Sequence, residues 1–225
     1  MEIAPTNNSI LINDLFLEEI GVLQKRVELI VLERNEKVEK WPENSTLTYA
    51  VVSNSFDTLD DYQKVVDRMS QAAQAWESAC GIHFRHLQDF DAKELHYANG
   101  IPAEVTFAVL LDDTIRPAFA TSFFPHNPAS HKLRVSKSYF TDECYYDHVG
   151  IFRHELGHIM GFRHEQAHKD APRACWPKNE TIVSKGLTPY DSKSVMHYLC
   201  TNVGTTTLEL TALDVQGALK LYPKH

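Results

Sequence analysis

The chain is 225 residues long, 43% hydrophobic and 23% charged, with 22 Lys+Arg against 30 Asp+Glu and a net charge of −8. That is one large domain or two small ones, long enough to bury a real core, and the acidic balance disfavours a nucleic-acid backbone as partner. No apolar run reaches the roughly 18 residues of a membrane span; histidine is abundant, and four cysteines allow two disulfides.

Between Asn13 and Lys40 apolar residues recur at helical spacing (Leu15, Ile20, Leu23, Val27, Ile30, Val31), which predicts an N-terminal helical leader over 1–40. It is either a packing appendage or a pro-segment that covers an active site. The start of the chain does not read as a secretory signal: Asp14, Glu18 and Glu19 interrupt its apolar stretch, and no basic region or cleavage site flanks it. Trp41-Pro42 punctuates the sequence and opens a domain expected over 41–225. Strands are predicted at Leu47–Val52, Ile82–Arg85, Glu104–Leu111, Ala118–Phe124 and Leu133–Val135. Helices are predicted at Leu59–Ala79, on the apolar face Val65, Val66, Met69, Ala73 and Trp76, at Asp147–Met160 before Gly161, and at Ala212–Leu221 after a capping Thr211. About fifty residues between the last two helices have little periodicity.

Residues 154–165 read H-E-L-G-H-I-M-G-F-R-H-E. His154 and His158, four apart on a helix, share one face and can share a metal ion. Gly161 lacks a β-carbon, so it can take a left-handed conformation, stop the helix and turn His164 back toward the same ion. Three neutral nitrogen ligands plus an open position is the composition of a catalytic zinc site. Glu155, one position round, is placed to reach a zinc-bound water rather than the ion. The expected chemistry is hydrolysis, with Glu155 taking the water's proton and returning it to the leaving amine.

The segment resembles the metzincin zinc endopeptidases. Ser194-Val195-Met196-His197-Tyr198 matches their Met-turn in the S-x-M-H-Y form, and with Phe162 and Glu165 it resembles the astacin branch. Leu210–Tyr222 is similar to the final helix of matrixins, and Lys40-Trp41-Pro42 with Leu47-Thr48-Tyr49 to the first strand of bacterial astacin- or matrixin-type proteases. After Glu165 the sequence Gln166-Ala167-His168-Lys169-Asp170 departs from astacins; the leader carries neither a cysteine for a matrixin-type switch nor the astacin F-x-G-D motif.

The resemblance implies an α+β fold: a twisted, mixed five-stranded sheet with two long helices in an upper subdomain of about 41–161, and an irregular lower subdomain of about 162–225 with a terminal helix. It implies one catalytic zinc held by His154, His158 and His164, with Tyr198 as a further ligand that swings away to stabilise the oxyanion and Met196 as the floor beneath. It also implies that Ala118, Phe119, Ala120, Thr121 and Ser122 form an edge strand that pairs with an extended protein or peptide substrate. A Cys175–Cys200 bridge is expected by likeness to bacterial relatives and would place the protein in an oxidising, extracellular compartment. Cys80 and Cys144 are either a second bridge or buried thiols.

Other groups carry weaker signals. Asp112-Asp113 and Asp89, Asp91 and Glu94 offer hard oxygens suited to calcium, though solvated acidic loops are the simpler reading. His83 with His86, and His126 with His131, are expected to be ordinary surface or core histidines. His148 faces away from the ligands, His168 is expected to face solvent, and His197 to pack or hydrogen-bond. Two readings compete with an active protease: a latent enzyme held by its N-terminal segment, and a non-cleaving peptide binder, which would need a missing ligand or base.

Overall fold

In the structure, a computed structural model describing residues 30–34, 37–92, 100–125, 131–175 and 184–225, the described part of the chain opens on two strands. These are β1 (Ile30–Arg34) and β2 (Lys37–Val38), paired antiparallel. They correct the helix expected over 13–40 for its described part; residues 1–29 of that leader lie outside the described residues. Ile30-Val31 is a β-branched start, and β1 has a second partner at 184–186, so long-range pairing overrides the local helical period. Val31 is fully buried and bridges Phe162.

The main sheet is built from β3 (Thr46–Val51), β4 (His83–His86), β5 (Phe107–Leu111), β6 (Ala120–Thr121) and β7 (Lys132–Val135), in the order β4-β3-β5-β7-β6. The first four in that order run parallel and β6 is the antiparallel edge. The mixed five-stranded sheet is therefore as expected, but the edge strand is shorter than the predicted Ala118–Phe124. After Thr121 the chain leaves the ladder, and the Ser122 hydroxyl turns to Glu155.

Helix α1 (Leu59–Ala79) has the bounds read from the sequence. The Thr58 hydroxyl accepts from Asp61 N at 3.0 Å, and Asp60 and Asp61 sit at the positive end of the helix dipole. Its buried face, Val65, Met69, Ala72, Ala73, Trp76 and Ala79, recurs every three or four residues. That face lies against α2 (His148–Met160), and Trp76 Nε1 donates to Arg153 O at 2.8 Å.

Helix α2 starts on Asp147, whose carboxylate accepts from Gly150 N at 2.7 Å, and ends on Gly161 at φ 104°. Two of its last carbonyls are satisfied by side chains from both ends of the chain. Trp41 Nε1 donates to Ile159 O at 2.7 Å, and Tyr222 Oη donates to Met160 O at 2.6 Å.

The lower part is irregular apart from β8 (Ser184–Gly186), which completes a small sheet of order β2-β1-β8, and α3 (Ala212–Leu221). Thr211 and Asp214 form a reciprocal capping box on α3. A Cys175–Cys200 disulfide staples this region, with its Cα atoms 5.5 Å apart. Cys80 and Cys144 are free thiols, which settles the alternative left open by the sequence. No helix among the described residues is long and apolar enough to cross a membrane.

Candidate metal centre

The helix and its glycine turn bring the three histidines together. One ligand atom from each of His154, His158 and His164 lies within 4.8 Å of the others, the one such grouping of His, Cys, Asp or Glu among the described residues. His158 Nε2 is 3.1 Å from His164 Nε2. The opposite ring nitrogens of the two helical histidines are anchored to the backbone: His154 Nδ1 donates to Val195 O and His158 Nδ1 to Phe162 O, both at 2.8 Å. These bonds fix the tautomer and turn each Nε2 lone pair toward the shared point. Burial pushes His154 down to about 3 and His158 well below its ordinary value, with the neighbouring His164 adding to both. Both are therefore neutral imidazoles, the form that binds a metal. Three imidazole nitrogens opening onto a cleft fit a zinc ion with a free coordination position.

The turn depends on Gly161. A β-carbon there would lie 2.6 Å from Glu39 O, in a left-handed conformation that side chains disfavour. Gly161→Ala is expected to lower stability by at least about 1–2 kcal/mol and to weaken zinc binding by displacing His164. Thermal unfolding and zinc competition with a chromogenic chelator measure the two effects.

Glu155 is buried beside the histidines, and burial raises its carboxyl to about 7, while a hydrogen bond from Ser122 pulls it down. Beneath the helix, Met196 is fully buried. A β-carbon on Gly157 would lie 2.4 Å from its sulfur, so the missing side chain is what lets the Met-turn approach. Tyr198 stands edge-on to His164 with ring centroids 5.0 Å apart. Gln166 Nε2 donates to Tyr198 O at 3.0 Å, and the following Leu199 N donates to Tyr146 Oη at 2.8 Å.

A cleft of about 770 Å³ runs past these groups. Ala118, Phe119, Ala120, Thr121 and Ser122 form one wall, and Tyr145, Tyr146 and Tyr198 are among the aromatic residues facing it. All the residues read from the sequence as catalytic, ligating or substrate-contacting, except the floor residue Met196, therefore line one cavity.

A matrixin family model matches residues 40–172, more than half of the chain. The chain belongs to the matrixin peptidase family. This matrixin is 24% identical over 200 residues to metalloendoproteinase 1-MMP of Arabidopsis thaliana, covering 81% of the chain and 44% of that protein. It is 36% identical over 67 residues to high choriolytic enzyme 1 of Oryzias latipes, covering 24% of each. The matched part thus spans less than half the length of these curated relatives. Among solved structures, myroilysin superposes with a TM-score of 0.57 at 19% identity, covering 87% of this chain and 99% of that one. High choriolytic enzyme 1, a hatching enzyme zinc-protease from medaka, gives 0.53 at 17% identity, covering 85% and 98%. These two likenesses bear out the metzincin fold.

Several residues sit differently from expectation or were not singled out. His168 is fully buried, not solvent-facing; its Nδ1 accepts from Asp170 N at 3.0 Å and its ring lies 5.5 Å from Tyr190. The chain folds back after His164, so a position past the turn still enters the interior. His197 is buried with Nε2 2.9 Å from Tyr190 Oη, and Nδ1 donates to Tyr198 O. His148 Nε2 bonds to Tyr139 O, away from the cluster. Asp91 is buried and accepts from Val51 N, Tyr62 Oη and His86, so it is a structural acceptor between strands and α1. Asp112 caps Thr114. His126 and Glu94 lie outside the described residues.

Glu165 was noted only for its likeness. It is fully buried, with Oε1 accepting from Asp191 N at 2.8 Å, and burial raises its carboxyl to about 8, helped by repulsion from Asp214 and Asp191. A folded-state value above the ordinary 4.5 means the native state holds the proton more tightly than the unfolded chain. Its contribution to stability therefore falls as pH rises through that interval, up to about 8. Above about pH 6.5 the histidines no longer oppose this slope. Zinc-free Glu165→Gln should lose up to about 2 kcal/mol less stability than the parent between pH 6.5 and 8, by thermal or urea unfolding.

Proposed function

We propose that this matrixin is a zinc-dependent endopeptidase that cuts extended polypeptides. The observation that carries the reading is the convergence of three imidazoles, two of them neutral and anchored to the backbone, beside a buried carboxylate in an open cleft.

Bound at His154, His158 and His164, zinc would supply a Lewis acid that acidifies water and polarises a carbonyl. The rest is done by the chain. The edge of β6 offers main-chain groups to a peptide lying antiparallel to it, which aligns the scissile bond along the cleft. Glu155, raised toward neutrality by burial, takes a proton from the attacking water and gives it to the departing amine nitrogen. Tyr198 donates its phenolic proton to the oxygen that gains charge. The hydrophobic cleft walls exclude bulk water and strengthen these contacts. The Cys175–Cys200 bridge steadies the segment that bears Tyr198 and fits an oxidising, extracellular setting.

Cleavage-site profiling on a peptide library tests the reading. Cleavage is expected with zinc, lost on chelation and restored by adding zinc back; an inert, fully zinc-loaded protein would sink it.

A further inference from the structure

We propose that Ser122 is a positioning residue for Glu155, a role that rests on the endopeptidase reading: its hydroxyl holds one carboxylate oxygen so that the other faces the attacking water. Ser122 Oγ lies 2.6 Å from Glu155 Oε2 and 3.0 Å from Glu155 O. A hydroxyl has one proton to give, so the two acceptors compete. The carboxylate is nearer and charged, and charge-assisted bonds of this kind are the shorter and stronger ones. The bond therefore goes to Oε2 and sets the rotation of the carboxylate plane, leaving Oε1 for water.

Ser122 directly follows β6, the strand whose edge borders the cleft. The same hydroxyl thus couples the substrate-aligning backbone to the proton acceptor. A peptide docked on β6 is registered against Glu155 through one short, rigid link, and positional errors of about 1 Å at a reacting centre cost roughly 100-fold in rate.

Ser122→Ala, Ser122→Thr and the parent separate this role from a packing role. For the alanine variant kcat should fall at least about tenfold, with KM, zinc affinity and unfolding temperature retained. Affinity of the zinc-loaded variant for acetohydroxamate, a chelator whose acidic proton goes to the adjacent carboxylate, should fall by a similar factor. Ser122→Thr keeps the hydroxyl and should restore most of both. Unchanged kcat and hydroxamate affinity in Ser122→Ala would overturn the proposal. So would a threonine variant that folds yet is as poor as alanine, or losses that track zinc affinity or unfolding temperature. If the zinc-loaded parent cuts no peptide, the endopeptidase reading fails, while hydroxamate binding still reports on the Ser122 contact.

Discussion

Replacing Glu155 with Gln is expected to lower kcat by about 100- to 10,000-fold, the range supplied by a positioned general base. The amide keeps the size of the side chain and can still contact Ser122, but it cannot take up a proton. Zinc stoichiometry should stay at the parental value, because the carboxylate stands beside the three imidazoles and is not one of them. Single-turnover kinetics on a profiled peptide, with metal analysis of the same samples, checks both halves. A zinc ion that only held the fold would leave the two proteins indistinguishable, and a peptide binder would show no turnover to lose.

The largest effect on stability is expected at Asp214. Its carboxylate accepts from Ser194 Oγ at 2.5 Å, from Val195 N at 2.9 Å and from Thr211 N at 2.9 Å, all at a site 1% exposed. Asp214→Ala strands these donors in the interior and removes the cap of α3. The cost of an unsatisfied buried donor is about 1–3 kcal/mol, partly offset because burial already disfavours the charged carboxylate. A net loss of about 3 kcal/mol is expected by chemical denaturation. The damage should also reach the metal. Val195 N is held by Asp214 while Val195 O receives the His154 Nδ1 proton, so the turn transmits position from α3 to a ligand. Zinc affinity should fall about tenfold, as for other supports of a ligating imidazole.

Much of this centre was legible because its information is local. The spacing of His154, His158 and His164 around Gly161 encodes one helical face and one turn, and the structure places all three within reach of one ion. The α1 bounds followed from its apolar period and the α3 bounds from a capping Thr211. What escaped were relations between distant segments. Nothing near Ser122 announces that its hydroxyl meets Glu155, and nothing near Trp41 or Tyr222 announces that they finish the α2 carbonyls. His168 looked exposed because a residue beyond a turn has no periodicity to locate it. Ile30–Arg34 carried a helical spacing and forms a strand, since its partner at 184–186 supplies the hydrogen bonds that a local window cannot see.

That strand limits how far the front of the molecule can be shortened. Removing everything before Trp41 would strip β8 of its ladder and leave a hole where Val31 sits at zero exposure beside Phe162. Recombinant versions designed to begin at the tryptophan should therefore express poorly, and those that keep residue 30 onward should not.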